Sequence, residues 1–350
     1  MKATYHKYIL HFRHPSGTSR GVMNDKETWF IILEKEGKKG IGECGILRGL
    51  SIDDRPDYET KLQWTCANIH LGENLLWEAL IEFPSIQFGI EMAFRSLDSE
   101  TPFLLFPSEF TNSEKTIPIN GLVWMGEESF MKHQIEEKLA QGFRCIKLKI
   151  GAIDFDKEIQ LLRYIRQHFT PAQVEIRVDA NGAFDLTLAL DKIKQIAGFE
   201  IHSIEQPIQK NNTDSMAELC KRTPIPIALD EELIGVFSLE EKEQLLQKIK
   251  PQYIILKPSF VGGFRGTKEW ILLAKKYKIG WWITSALESN IGLNAIAQWT
   301  YLQHNSMPQG LGTGALYTNN FDCPLQVSEG QLGYEKQWKW EFYFERFSNI

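Results

Sequence analysis

Between residues 117 and 284, short apolar or β-branched runs alternate with amphipathic stretches of about 12–16 residues, and this rhythm restricts the fold more than any other feature. Strands are expected at 117–124, 144–150, 174–179, 201–205, 225–230, 253–257 and 280–284. Helices are expected between them. One is 156–169, where Ile159, Leu162, Ile165 and Phe169 share a face; another is 239–249, with Ser238 as its N-cap. Such alternation implies parallel strands joined by right-handed crossovers. Seven or eight units over about 205 residues close naturally as a (β/α) barrel, with an open doubly wound sheet as the other arrangement the pattern allows.

The strand ends carry the chemistry. From the second strand onward they read Lys149, Asp179, Glu205, Asp230 and Lys257, then Ser285, at gaps of 30, 26, 25, 27 and 28 residues. Each gap is the length of one strand–helix unit, and in a parallel barrel all strand C-termini share one face. A single charged strand end is unremarkable as a solvated loop residue. Five in succession reading Lys, acid, acid, acid, Lys are hard to explain that way. Alternation along 144–150 points Ile146, Leu148 and Ile150 toward the helices, and Lys147 and Lys149 inward. Likewise Glu175, Arg177 and Asp179 face the interior, where charge is costly unless paired or functional. An internal salt-bridge network accounts for Glu175 and Arg177 better than for three acids and three lysines at the rim.

Three carboxylates, with no His or Cys at an equivalent position, suit a hard cation: Mg²⁺, with Mn²⁺ as a possible substitute. Such an ion would hold a substrate carboxylate and stabilise negative charge developing on it. Lysines on opposite sides would then serve as base and as electrostatic partner. Lys147 is expected to lower the proton affinity of Lys149 by like-charge repulsion. The implied reaction class is proton abstraction next to a carboxylate through an enediolate. A catalytically silent barrel that binds a metal and an anion is the non-enzymatic alternative.

These residues resemble the enolase superfamily, in particular its muconate-lactonizing-enzyme-like subgroup; a lysine base working with magnesium is a known property of that superfamily. The resemblance rests on Lys147-Leu148-Lys149, Val178-Asp179-Ala180-Asn181, Ile204-Glu205-Gln206-Pro207, Leu229-Asp230-Glu231 and Leu256-Lys257-Pro258. It implies a (β/α)7β TIM-like barrel with an N-terminal α+β capping domain completed by the C-terminal tail. It also implies Asp179, Glu205 and Asp230 as metal ligands, Lys149 and Lys257 as catalytic residues with Lys147, and Asn181 and Glu231 in support. The segments Thr284-Ser285-Ala286-Leu287-Glu288-Ser289-Asn290-Ile291-Gly292 and Gly310-Leu311-Gly312-Thr313-Gly314 resemble those of the o-succinylbenzoate synthase family. That likeness implies a carboxylate substrate of menaquinone biosynthesis, held by Ser285, Ser289, Asn290, Gly310 and Gly312. Dipeptide epimerases and N-acylamino-acid racemases are the alternatives within the subgroup. The epimerases usually carry an Asp-x-Asp pair where this chain has Gly312-Thr313-Gly314.

The remaining chain sets the frame. A capping domain is expected over residues 1–115, the barrel over 116–321, and a returning segment over 322–350. In the last of these, Trp338, Trp340, Phe342 and Phe344 alternate with polar residues as in a strand. The loops at 13–21 and 45–54 are expected over the site, without a placement for Arg13, Arg20, Arg48 or Arg55. A formal charge of −6, from 39 basic against 45 acidic residues, offers no cationic excess for nucleic acid. No run suits a membrane span or a signal peptide, and the five cysteines are odd in number and scattered, so a reduced, cytoplasmic protein is expected. His11 and His14 are expected at an edge, His202 against a helix, and Cys145 as a packed thiol. The loose G-x-G-x-x-A match at Gly310 lacks a following βαβ unit and is set aside. Sequence leaves the oligomeric state open.

Overall fold

The computed structural model describes residues 1–18, 21–151, 153–340, 342 and 344. Three antiparallel strands come first: β1 (Lys2–Thr18), β2 (Gly21–Lys35) and β3 (Lys38–Gly45). Three helices follow, α1 (Tyr58–Ala67), α2 (Gly72–Ala79) and α3 (Pro84–Asp98). Only 29–33 of the long hairpin stands out in sequence, because β1 is an edge strand rich in charged and polar residues. His11 lies on that edge, exposed and paired with Asp25. The α3 helix is buried along most of its length and rests almost on the backbone of β3. A Cβ at Gly42 would stand 1.8 Å from the carbonyl oxygen of Gly89, so glycine at this crossing permits the contact.

The barrel begins with β4 (Ile117–Pro118) and β5 (Gly121–Val123), then α4 (Glu128–Ala140), β6 (Cys145–Lys149), α5 (Phe155–His168), β7 (Glu175–Asp179) and α6 (Ala189–Ala197). It continues through β8 (Ser203–Glu205), α7 (Thr213–Arg222), β9 (Ile227–Leu229), α8 (Leu239–Ile249) and β10 (Tyr253–Leu256). The last elements are α9 (Pro258–Val261), α10 (Gly263–Tyr277), β11 (Gly280–Ile283) and α11 (Asn290–Tyr301). Strands β5 to β11 form one parallel sheet in sequence order. Among the described residues its two edges are joined by isolated parallel bridges, Ile119 with Gln309 and Thr284 with Gly310, and not by a continuous ladder. The eighth position is thus a bridge rather than a full strand, and the barrel is only partly closed.

Local chemistry fixes the helix starts. Ser238 and Glu241 form a reciprocal capping box on α8, and Asp154 caps α5. On α5 the buried residues are Glu158, Leu161, Leu162 and Ile165, with Ile159 and Phe169 only partly covered. Outward residues of the sheet, including Ile146, Leu148, Ile176, Val178 and Ile204, join one large apolar cluster with the helices.

The segment from 322 onward differs from its sequence expectation. Its strands are β12 (Leu325–Ser328) and β13 (Gln331–Tyr334), and β13 pairs antiparallel with β4 at the entry to the barrel. Residues 336–338 form a turn and 339–340 are irregular, so the alternating aromatics do not continue as a strand. Glu341, Tyr343 and Glu345 lie outside the described residues. Trp340 stacks on Phe103 with ring centroids 4.1 Å apart, and Phe342 meets the same ring edge-on. Ring packing, not backbone pairing, accounts for Trp340, Phe342 and Phe344, whereas Trp338 is exposed. Among the described residues no helix is long and apolar enough to cross a membrane.

Candidate active site

At the C-terminal ends of the barrel strands a cavity of about 290 Å³ opens toward the cap. Barrel residues supply most of its wall, including Asn120 and Trp124 beside Lys147, Lys149, Asp179, Asn181 and Lys257. Ser285, Gly310 and Gly312 also line it, as does Thr313. The cap contributes Gly21, Val22 and Met23 from the start of β2, with Leu47, Arg48 and Leu50 from the turn after β3.

The pleat of β6 turns Lys147 and Lys149 into the barrel, as alternation requires. Asp179 lies in register with Lys149 on one side and with Glu205 on the other. Its Oδ2 accepts from Lys149 Nζ at 2.9 Å and lies 3.0 Å from Lys147 Nζ. Lys147 also pairs with Glu205. Across the mouth, Lys257 Nζ donates to Asp230 Oδ2 at 2.5 Å. Asn181 accepts from Lys149 at 2.7 Å and donates to Glu231 at 3.0 Å, so it ties the lysine to the fifth strand end. All three acids are at least 98% buried.

Counting Glu231, four carboxylates face three ammonium groups in a nearly dry site. Burial alone would raise the Asp179 carboxyl, yet Lys147 and Lys149 outweigh it and hold the group far below the usual carboxylate range. Glu205 goes the other way: burial, then its anionic neighbours Asp179 and Asp230, push it well up. Burial pulls the Lys147 ammonium down, but Asp179, Glu205 and Asp230 together hold it above the ordinary lysine value. Desolvation of Lys257 is likewise overcome by Asp230, Glu205 and Glu231. The expected like-charge role of Lys147 therefore changes: its charge is compensated by two carboxylates rather than set bare beside Lys149.

Among the described residues no three His, Cys, Asp or Glu side chains stand ready as a metal cage; their oxygens turn to the lysines. The donor set nevertheless fits a hard cation. Three carboxylates end consecutive strands, and Glu205 Oε1 is buried with no hydrogen-bond partner. Asp179, Glu205 and Asp230 would hold the ion, and the site's excess of negative charge would become an excess of positive charge.

Ser289 and Asn290 do not line the cavity. Ser289 is fully buried and bonds Glu43, while Asn290 bonds Asn320 and the carbonyl of Phe321. These two cap and anchor α11, a role that their position just after the seventh strand does not reveal. Of the arginines, Arg48 reaches the cavity but is bound to Glu27 and Asp54; Arg55 binds Asp57 and Glu82 outside it. Arg13 is exposed, its backbone bonded to Leu316, and Arg20 lies outside the described residues.

Sequence reasoning passed over Gln206. This buried residue has φ +38°, and its Oε1 accepts from the backbone N–H groups of Asp230 and Glu232, stapling the fourth strand end to the fifth. A glutamine directly after Glu205 was the available signal.

The chain matches the family model described as "Enolase C-terminal domain-like" over residues 131–336. It is 47% identical to o-succinylbenzoate synthase of Desulfotalea psychrophila, over 95% of this chain and 99% of the relative. The crystal structure of MenC from Desulfotalea psychrophila superposes with a TM-score of 0.85 at 44% identity, covering 95% of this chain and 99% of that one. A dipeptide epimerase from Enterococcus faecalis, complexed with Mg and L-Leu-L-Tyr, shares the fold at a TM-score of 0.81 and 18% identity, covering 95% and 96% of the two chains.

Proposed function

The chain belongs to the enolase C-terminal domain-like family, within the enolase superfamily, and from that premise we propose that it catalyses the o-succinylbenzoate synthase reaction. This is the syn elimination of water from 2-succinyl-6-hydroxy-2,4-cyclohexadiene-1-carboxylate, a step of menaquinone biosynthesis. Identity of 47% across nearly the full length of both chains is the observation that carries the assignment. The site supports it, since lysines approach the cavity from opposite walls: β6 and β10 are separated by β7, β8 and β9.

When bound by Asp179, Glu205 and Asp230, a divalent cation supplies Lewis-acid polarisation of the substrate carboxylate; magnesium is the ion this oxygen set favours. Asp179 and Asn181 hold Lys149 Nζ at the wall, aimed at one face of the substrate. Lys149 takes the proton from the carbon next to the carboxylate. Lys257 opposes the negative charge that builds up as that bond breaks. The neighbouring carbon–oxygen bond then breaks, and Lys149 returns the proton to the departing hydroxyl as water. A ring double bond forms and the product is aromatic. Cap residues Val22, Met23, Leu47 and Leu50 offer an apolar roof that keeps bulk water from the proton transfer.

Dipeptides fit less well. Among the described residues lining the cavity Asp179 is the only carboxylate, and it is already bound to two lysines. A substrate ammonium would thus lack a partner at the eighth position, where Gly312 and Thr313 stand. A magnesium-dependent absorbance assay tests the proposal, with the cyclohexadiene carboxylate run beside panels of dipeptides and N-acylamino acids. Dehydration that stops with chelator and returns with magnesium is the expected result. Turnover confined to dipeptides or N-acylamino acids would overturn it.

A further inference from the structure

Behind the cavity, at the junction of cap and barrel, lies a second buried charge cluster that the reaction does not use. Glu43 on β3 is fully buried, and its carboxylate reaches across to the start of α11. Its Oε1 accepts from Ser289 N at 2.8 Å and from Thr28 Oγ1 at 3.0 Å. Its Oε2 accepts from Ser289 Oγ at 2.6 Å and from Gly292 N at 2.8 Å. Lys26 on β2 is buried beside it, with room for its ammonium because residue 45 is glycine: a Cβ there would stand 2.6 Å from Lys26 Nζ. Glu288 completes the cluster and accepts from Ser259 Oγ at 2.6 Å.

Strain in the adjoining loop gives the cluster its meaning. Leu287, which lines the cavity, has φ +62°, a left-handed conformation unfavourable for a branched side chain. Such a residue persists when its surroundings over-determine it. Here Tyr317 Oη donates to the carbonyl of Leu287 at 2.7 Å, and Ser285 Oγ accepts from its N–H. Glu43 then fixes the chain two residues later. The same β3 strand leads directly into Leu47, Arg48 and Leu50 of the cavity roof.

We propose that Glu43 is a positioning residue that clasps the seventh-strand loop, residues 284–289, to the cap and so sets the width of the substrate cavity. As far as it concerns substrate, this rests on the function proposed above. Glu43 touches neither of the reacting lysines nor the three acids, so it acts on substrate affinity and not on the proton-transfer step.

Two measurements test it on the whole protein. Hydrogen exchange needs no substrate: Glu43→Gln, close in shape, should speed exchange at 284–289 and leave strands β6 to β8 protected. In the dehydration assay the same variant should raise KM about 10-fold with kcat within about 3-fold of the parent, and leave magnesium affinity by calorimetry unchanged. Ser289→Ala, which spares the cap cluster, keeps the test alive if Glu43→Gln fails to fold; it should give the same split, about 3-fold in KM. The double variant should be no worse than Glu43→Gln alone, because both remove one clasp. Unchanged exchange at 284–289, or a loss in kcat at constant KM, overturns the proposal. If the parent shows no dehydration, the functional reading fails on its own, and the exchange arm still decides whether the clasp exists.

Discussion

The two ends of this barrel hold charged residues from the same strands and treat them in opposite ways. At the floor, β6 and β7 supply Cys145, Glu175 and Arg177; at the mouth they supply Lys147, Lys149 and Asp179. Arg177 is 98% buried, donates to Glu175 at 2.7 Å and to the carbonyl of Pro308 at 2.8 Å, and stacks 4.2 Å from the ring centroid of Trp282. One cation meets one anion there, and the Cys145 thiol, pushed up by burial, stays protonated. The mouth instead crowds four carboxylates against three ammonium groups. Among the described residues each cluster holds an unpartnered buried atom, Arg177 Nη2 at the floor and Glu205 Oε1 at the mouth, so what separates them is charge: a balanced cluster is a structural device, whereas one with surplus carboxylates is prepared for a cation.

That contrast can be broken most forcefully at Lys149. Lys149→Ala should reduce dehydration at least about 10³-fold while the melting temperature stays within a few degrees of the parent. Near-normal turnover, or a protein that no longer folds, would erase the distinction between the two ends. The converse change is Arg177→Met at the floor. It should cost roughly 2 kcal/mol in denaturant unfolding, below the full cost of orphaning a buried partner because Glu175 is partly exposed, with kcat within about 3-fold of the parent. A large loss of kcat with intact stability would place the floor in the chemistry.

The smallest effect concerns His202, which packs at the floor against Tyr253 with centroids 4.8 Å apart. Desolvation lowers its affinity for protons in the fold. Stability is then full above the unfolded value near 6.5 and declines as pH falls from there through the folded value. Thermal unfolding at pH 7 and pH 5 should show a slightly smaller acid-induced drop for His202→Gln than for the parent. An identical drop would detach His202 from the floor's pH response.

Much of the mouth was legible because a parallel barrel converts sequence spacing into spatial convergence. Once Lys149, Asp179, Glu205, Asp230 and Lys257 fall at strand ends one unit apart, topology brings them together. Residues that act across elements were not legible. Glu43 and Ser289 are 246 positions apart, and no local pattern announces their bond. Gln206 is visible beside Glu205, but its bonds across to Asp230 and Glu232 depend on a left-handed backbone that a glutamine does not advertise. The expectation that His202 packs under a helix failed for a related reason: at the entrance to β8 its ring meets Tyr253 of β10 and Trp282 of β11, strands distant in sequence. The tail misled because alternating aromatics need not pair as a strand: Trp340 stacks on Phe103 without strand pairing, and Trp338 stays exposed.

The seam of the barrel has a consequence for how the chain is made. Among the described residues its edges meet through isolated bridges, Ile119 with Gln309 and Thr284 with Gly310, so one bridge joins residues about 190 positions apart. Contacts so distant in sequence form late, since the loop they close must first be collapsed around them. During synthesis the chain emerges N-terminus first, and β5 waits as an open edge until residue 309 has left the ribosome. An open edge is a template for pairing with another nascent chain. A truncation just short of the seam would therefore keep every lysine and every acid of the mouth, yet lack the wall at Gly310 and Gly312 and present two unpaired sheet edges to its neighbours.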